Sequence, residues 1–142
     1  MATVSDQISA FFERYNAANN AFNPDLLGDC IGGTLVGADP NGEVLALEKG
    51  EFLAGINERK DYLEAMGFVS VNVYPYEEVP LNETYTLVKT RGRMAIKKQD
   101  GEVVELVHDA SYILFLKEDG PKMVFALSHE DPMKMMQDQG LA

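Results

Sequence analysis

The stretch that decides the fold is TYTLVKTRGRMAIKKQDGEVVELVHDASYILFLKEDGPKMVFALSH, residues 84–129. It is rich in Val, Thr, Tyr, Phe and Ile, residues that suit a pleated, half-buried surface. Two turn signals, Asp100-Gly101 and Asp119-Gly120-Pro121, divide it into extended segments expected at 84–98, 102–117 and 122–130. Phe68 to Val79, closed by Pro80 to Asn82, has the same character. Together these runs predict a meander of four long antiparallel strands.

Upstream the period changes. Val4, Ile8, Phe11, Phe12, Tyr15, Ala18 and Phe22 recur at spacings of three and four, which predicts an amphipathic helix with Ser5 as its N-cap. Asn23-Pro24 reads as the cap and first turn of a short second helix running to Ile31 and stopped by Gly32-Gly33. Two extended pieces between Thr34 and Leu47 flank Ala38-Asp39-Pro40-Asn41-Gly42, a hairpin signal. Lys49 to Met66 carries Phe52, Leu53, Ile56, Leu63 and Met66 on one stripe, with Gly67 in the stop position. Met133 to Ala142 reads as a short helix or a tail. Helices first and strands after, without β-α-β alternation, define an α+β fold in which N-terminal helices cover one face of a curved antiparallel sheet.

The 142 residues, 46 % hydrophobic and 25 % charged, suit one globular domain spanning 1–142. No apolar run approaches the roughly 20 residues of a bilayer span, and residues 1–6 lack the basic start of a leader, so a cytoplasmic protein without membrane contact is expected. The single Cys30 allows no internal disulfide or Cys-rich zinc site and reads as a packed thiol on a helix face. Twenty-three acids against twelve bases leave a net charge of −11, which repels phosphate backbones and makes nucleic acid an unexpected partner. With two distant histidines, no nucleophile elbow and no phosphate-cradling glycine loop, neither a metal nor a cofactor is expected.

A two-residue turn at Asp100-Gly101 sets Gln99 opposite Glu102. Alternation then puts Leu87, Lys89, Arg91 and Arg93 on one face with Leu106, His108, Tyr112 and Leu114. A turn over Glu118 to Pro121 adds Phe125, Leu127 and His129. One end of that face is apolar, through Leu87, Leu114, Phe125 and Leu127. At the other end Arg91, Arg93, His108, Tyr112 and His129 converge, the usual shape of a small-molecule site. The two arginines favour a small organic ligand with a carboxylate or another anionic group. A histidine beside them is held neutral by like charge and can accept a proton. The bland alternative is a solvated sheet region whose Lys and Arg pair with Asp and Glu. The opposite face, with Thr86, Val88, Thr90, Met94, Val107, Ser111, Ile113, Val124, Ala126 and Ser128, is flat and semi-polar. Met133, Met135 and Met136 either cap the pocket, meet a partner or join the core.

Three pieces of sequence, FFERYNAA at 11–18, ADPNG at 38–42, and the closing strands SYILFL at 111–116 with MVFALSH at 123–129, carry a resemblance. With the order of elements, they resemble the nuclear-transport-factor-2-like superfamily, in its SnoaL-like and ketosteroid-isomerase-like branch, over nearly the whole chain. The resemblance implies a cone-shaped, cystatin-like α+β roll, a ligand pocket on the concave face and a homodimer through the outer sheet face. It makes Tyr15 a candidate oxyanion donor and puts His129 where many relatives carry a histidine. The isomerase general base falls near Gly37, with Asp39 two residues later, and its partner acid falls near Tyr112; both departures speak against steroid isomerisation. Asp39, before Pro40 in a turn signal, also has a structural reading. The resulting expectation is a homodimeric small-molecule-binding domain of unassigned activity. One alternative is a cyclase, isomerase or dehydratase with His129 or Asp39 as base and Tyr15 or Tyr112 on an enolate. The other is a protein-interaction module acting through the outer sheet face.

Overall fold

The computed structural model describes residues 4–141. Helix α1 spans Asp6–Asn20, and the Ser5 side chain accepts from the Ile8 N–H at 3.4 Å to cap it. Helix α2, Pro24–Gly28, is capped by Asn23, whose Oδ1 accepts from the Leu26 N–H. It stops earlier than expected, and Gly32-Gly33 lie inside strand β1 (Ile31–Ala38) instead of ending the helix. Glycine at 32 serves a close approach of β1 to its neighbour: a Cβ there would stand 3.0 Å from Val124 Cγ1. Strand β2 (Val44–Glu48) completes the hairpin. The expected helix over 49–66 is broken at Gly55 into α3 (Lys49–Ala54) and α4 (Ile56–Ala65). Strands β3 (Phe68–Pro80), β4 (Tyr85–Lys97), β5 (Val103–Lys117) and β6 (Gly120–Ser128) follow, and α5 (Pro132–Asp138) comes last.

The six strands form one sheet in the order β2-β1-β6-β5-β4-β3. The sheet is mixed, not wholly antiparallel, because β1 runs parallel to β6 while every other pairing is antiparallel. Helices lie on its concave face. Ile8, Phe11 and Phe12 of α1 are almost fully buried against Val73, Val88, Tyr112, Leu114 and Met123. Phe12 meets the Tyr112 ring at 5.6 Å between centroids. Burial of such side chains contributes roughly 1.5–3 kcal/mol each, which makes this seam the main anchor of α1. The step from α4 into β3 passes Gly67 at φ +92°, where a Cβ would lie 1.9 Å from the Lys97 carbonyl oxygen.

The β4–β5 register differs by one residue from the expected one. Gln99, Asp100 and Gly101 form a three-residue loop, with Lys98 N–H donating to the Glu102 carbonyl and Gly101 at φ +90°. That is the loop in which a left-handed third residue closes the hairpin. Gly92 therefore faces His108, Arg91 faces Asp109, Leu87 faces Ile113 and Arg93 faces Val107. Because side chains alternate, the single-residue slip turns β4 over. Thr86, Val88, Thr90 and Met94 point inward with Leu106, His108, Tyr112 and Leu114, while Leu87, Lys89, Arg91 and Arg93 point outward. Similarly, the last turn uses only Glu118-Asp119, so Lys117 pairs with Gly120, and a bulge at Val124 follows. Ala126 and Ser128 face inward, and Phe125 and His129 face outward.

Candidate functional site

On the concave face a cavity of about 350 Å³ is lined by Met94, Leu106, His108, Ala110, Tyr112, Ala126, Leu127 and Ser128 of the sheet, Gly37 and Ala38 of β1, and Met135 and Met136 of α5. The lining is overwhelmingly apolar, and no lysine, arginine or carboxylate belongs to it. Its polar groups are the His108 imidazole and the Tyr112 and Ser128 hydroxyls. Ser128 Oγ already donates to the Glu130 carbonyl at 2.6 Å.

His108 owes its position to the residue across the ladder. A Cβ on Gly92 would come within 2.5 Å of His108 Cε1 and Nε2, so only glycine leaves room for the ring to lie across β4. Burial holds the imidazole below the ordinary histidine range, and the charges of Glu130 and Asp109 oppose that shift without cancelling it. Among the described residues, neither ring nitrogen is hydrogen-bonded or wholly enclosed. A neutral imidazole can offer one donor and one acceptor to a molecule in the cavity.

The other expected site residues are placed differently. Arg91 and Arg93 are on the outer face, where Arg91 Nε donates to Asp109 Oδ1 at 3.0 Å and Arg93 Nη1 to Glu105 Oε1 at 2.7 Å. The expected convergence of arginines with His108 does not occur, and the carboxylate subsite they implied goes with it. His129 is also outside, its Nε2 at 2.7 Å from Ser111 Oγ. Leu87 and Phe125 flank Ile113 on the outer face. Leu114 is fully buried in the α1 seam; Leu127 pairs with outward-facing Ser111 instead of sharing the face of Tyr112 as expected, and borders the cavity from between Ala126 and Ser128. Asp39 shapes the β1–β2 turn: its Oδ1 accepts from the N–H groups of Asn41 and Glu43 at 2.9 and 3.1 Å. Tyr15 joins the two core clusters, its ring 6.4 Å from that of Tyr112, and does not reach the cavity wall. Burial raises both tyrosine hydroxyls above their ordinary value. Cys30 is a buried thiol, likewise raised by burial.

Helix α5 roofs the cavity with Met135 and Met136, while Met133 is exposed. Asp131 starts that helix by accepting from the Met133 and Lys134 N–H groups, and its other oxygen accepts from Asn41 Nδ2 at 2.9 Å. Thus the tip of the β1–β2 hairpin and the roof share one carboxylate. Arg59 of α4 is a cation the sequence reading missed. It donates to Asn19 Oδ1 at 2.9 Å, lies over the Phe22 ring, and its field reaches the hydroxyls of Tyr15 and Tyr112. A lone arginine in a helix carries no pattern that would have marked it. The glycine facing His108 could have been found, given the correct loop length.

No family model matches the chain, and no curated protein matches its sequence. Solved structures do match. An NTF2-like protein with a cystatin-like fold from Novosphingobium aromaticivorans superposes with a TM-score of 0.68 at 11 % identity, covering 89 % of this chain and 81 % of the other. An NTF2-like protein of unknown function from Shewanella oneidensis gives 0.66 at 16 % identity, over 88 % of this chain and 98 % of the other. A ketosteroid isomerase-like protein from Erwinia carotovora gives 0.62 at 12 % identity, over 88 % and 97 %. The fold is therefore the nuclear-transport-factor-2-like, cystatin-like α+β fold.

Proposed function

We propose that this chain binds a mainly hydrocarbon small molecule in the concave cavity, with His108 as its polar contact there. The observation that carries the reading is a neutral, unbonded imidazole facing about 350 Å³ of otherwise apolar space, a volume at the lower end of ordinary ligand sites. The absence of charge from the lining favours a neutral group, such as a ketone or hydroxyl, beside His108. The direct test is displacement of the neutral fluorophore Nile red, with His108→Leu and Ala110→Phe as variants. Ala110→Phe fills the cavity and abolishes dye binding, whereas His108→Leu keeps the dye but weakens ketones and alcohols that compete with it. Dye binding unaffected by Ala110→Phe overturns the reading.

A second reading, proton transfer next to a carbonyl, draws on the lowered proton affinity of His108 in an apolar site. The likeness to an isomerase-like protein adds fold but no residue to it. In this reading His108 is the base, in place of His129 and Asp39. Deuterium uptake into small ketones, lost in His108→Gln, is the supporting outcome; no uptake above buffer leaves binding as the function.

For partners, the reading includes a homodimer through the outer sheet face. Leu87, Ile113 and Phe125 form one row across three strands there, with the Lys89–Glu77 pair beside it and the Arg91–Asp109 and Arg93–Glu105 pairs further along the same face. An apolar centre with a charged rim is the composition of a self-complementary interface. Sedimentation equilibrium showing a dimer that Ile113→Arg dissociates supports it, and a wild-type monomer overturns it. No helix among the described residues is long and apolar enough to cross a membrane.

A further inference from the structure

The cavity beside His108 is one end of a longer apolar path. Gly37 and Ala38 belong both to it and to a second hollow under the β1–β2 hairpin, which also includes Leu35, Leu45, Leu47 and Phe52, with Asp39 and Glu43 where the hairpin turns. Leu47 and Phe52 belong in turn to a third hollow that reaches Leu27, Ile56 and Arg59. The join lies on the concave side. Gly37 pairs with Ala126 on one flank and Leu45 on the other, and Leu35, two residues earlier, packs on the core seam. At Gly37 nothing lies within 4 Å of where a Cβ would be, so the missing side chain leaves the passage open. Leu45, on the same side, is 61 % exposed, which is apolar surface without a cover.

The far end has a different chemistry. Arg59 is partly buried, spends one N–H on Asn19 and stacks on Phe22. Glu51 borders the same hollow, yet among the described residues no carboxylate pairs with the guanidinium. A guanidinium beside apolar surface, with donors to spare, recognises a carboxylate better than any neutral group.

Resting on the reading that the His108 cavity holds an apolar ligand, the geometry points to an elongated amphiphile: an unbranched hydrocarbon chain that crosses Gly37, with its carboxylate at Arg59. The chain's distal end, at His108, accommodates a hydroxyl or keto group. The path supplies length discrimination, and Arg59 supplies the head-group preference.

The test is titration of the whole chain with straight-chain alkanoic acids and the matching 1-alkanols, from short to long. Affinity in both series rises about fourfold per methylene until the path is filled. Acids bind roughly tenfold or more tighter than alcohols of equal length. Gly37→Leu projects into open space at the join of the two hollows and weakens long chains at least about tenfold more than short alcohols. Leu45→Asn, at an exposed position, weakens long chains by a smaller factor. Arg59→Gln brings the affinity ratio of acid to alcohol of equal length down to about one. Long chains that bind no better than short ones, or a length dependence untouched by Gly37→Leu, overturn the path; an acid preference that survives Arg59→Gln overturns the head-group assignment. Short alcohols that bind while long ones gain nothing leave the His108 cavity standing, whereas failure of every chain removes both readings.

Discussion

The Asn16 carboxamide holds both backbone groups of Val73: its Oδ1 accepts from the Val73 N–H at 2.8 Å and its Nδ2 donates to the Val73 carbonyl at 2.9 Å. One helical turn later Asn20 does the same to Val71, at 2.7 and 2.8 Å. Strand β3 is an edge of the sheet. Residues i and i+4 of a helix rise about 6 Å, close to the two-residue rise of a strand, so two asparagines on α1 stand in for the missing neighbour strand. They close an edge that would otherwise be open to pairing with another chain. Asn16→Leu should lower unfolding free energy by about 1–3 kcal/mol, because it strands partly buried backbone groups. Chemical denaturation checks this, and an unchanged midpoint would show that water replaces the carboxamide without loss.

Gly92→Ala should act on the cavity more than on the sheet. The added methyl expels the His108 ring from its seat over β4, and strain of this kind costs typically 1–3 kcal/mol. Two readouts separate the effects: a lower melting temperature, and a His108 proton resonance whose titration moves toward that of a free imidazole. A His108 signal that titrates as in the parent would mean the ring never lay where the glycine leaves room.

Acid should weaken the fold in two separable steps. Folded His108 resists protonation, so below the ordinary histidine value of 6.5 the unfolded chain binds a proton that the folded chain does not. Stability is therefore lost as pH falls from above 6.5 toward the folded value and then levels off. Asp109 is the reverse case: its bond to Arg91 keeps it ionised below the ordinary 3.8, so its contribution is present above that value and lost as pH falls through the folded one. His108→Gln should flatten the upper step only, and Arg91→Ala the lower only. Denaturation midpoints across the pH range give both slopes.

Arg91→Ala should leave ligand affinity unchanged, since Arg91 lies across the sheet from the cavity and pairs with Asp109 over the Tyr76 ring. Exposed pairs of this type have small effects on stability. Nile red titration of the variant is the check, and a loss of binding would put the ligand on the outer face.

Gly67→Ala should be among the most damaging small substitutions, since a positive φ and a carbonyl oxygen 1.9 Å from the new Cβ both oppose it. The measurable result is loss of soluble folded protein, or a melting temperature well below that of Gly33→Ala, a strand site with open space.

The class of fold could be read from periodicity because each signal there is local: the Ser5 and Asn23 caps, the stop at Gly67, and four long runs of β-forming residues. The site depended on something that is not local. His108 and Tyr112 reach the cavity because β5 sorts its own faces by alternation. Arg91 and Arg93 were assigned the same face only through a turn length, and one extra loop residue, Gln99, reverses them. The signs of both rows were present in the composition of β4, where Thr86, Val88, Thr90, Gly92 and Met94 alternate with Leu87, Lys89, Arg91 and Arg93. The charged row belongs outside on desolvation grounds alone. Arg59 and the open seat at Gly37 arise from packing between distant elements, which periodicity does not encode.

One carboxylate, Asp131, both starts the roof helix and holds the tip of the β1–β2 hairpin through Asn41. Met135 and Met136 cannot swing away from the cavity by bending at Asp131 unless that bond breaks or the hairpin travels with them. The hairpin tip and the roof of the cavity thus share a latch. Asn41→Ala would remove that bond without altering any side chain that lines the cavity.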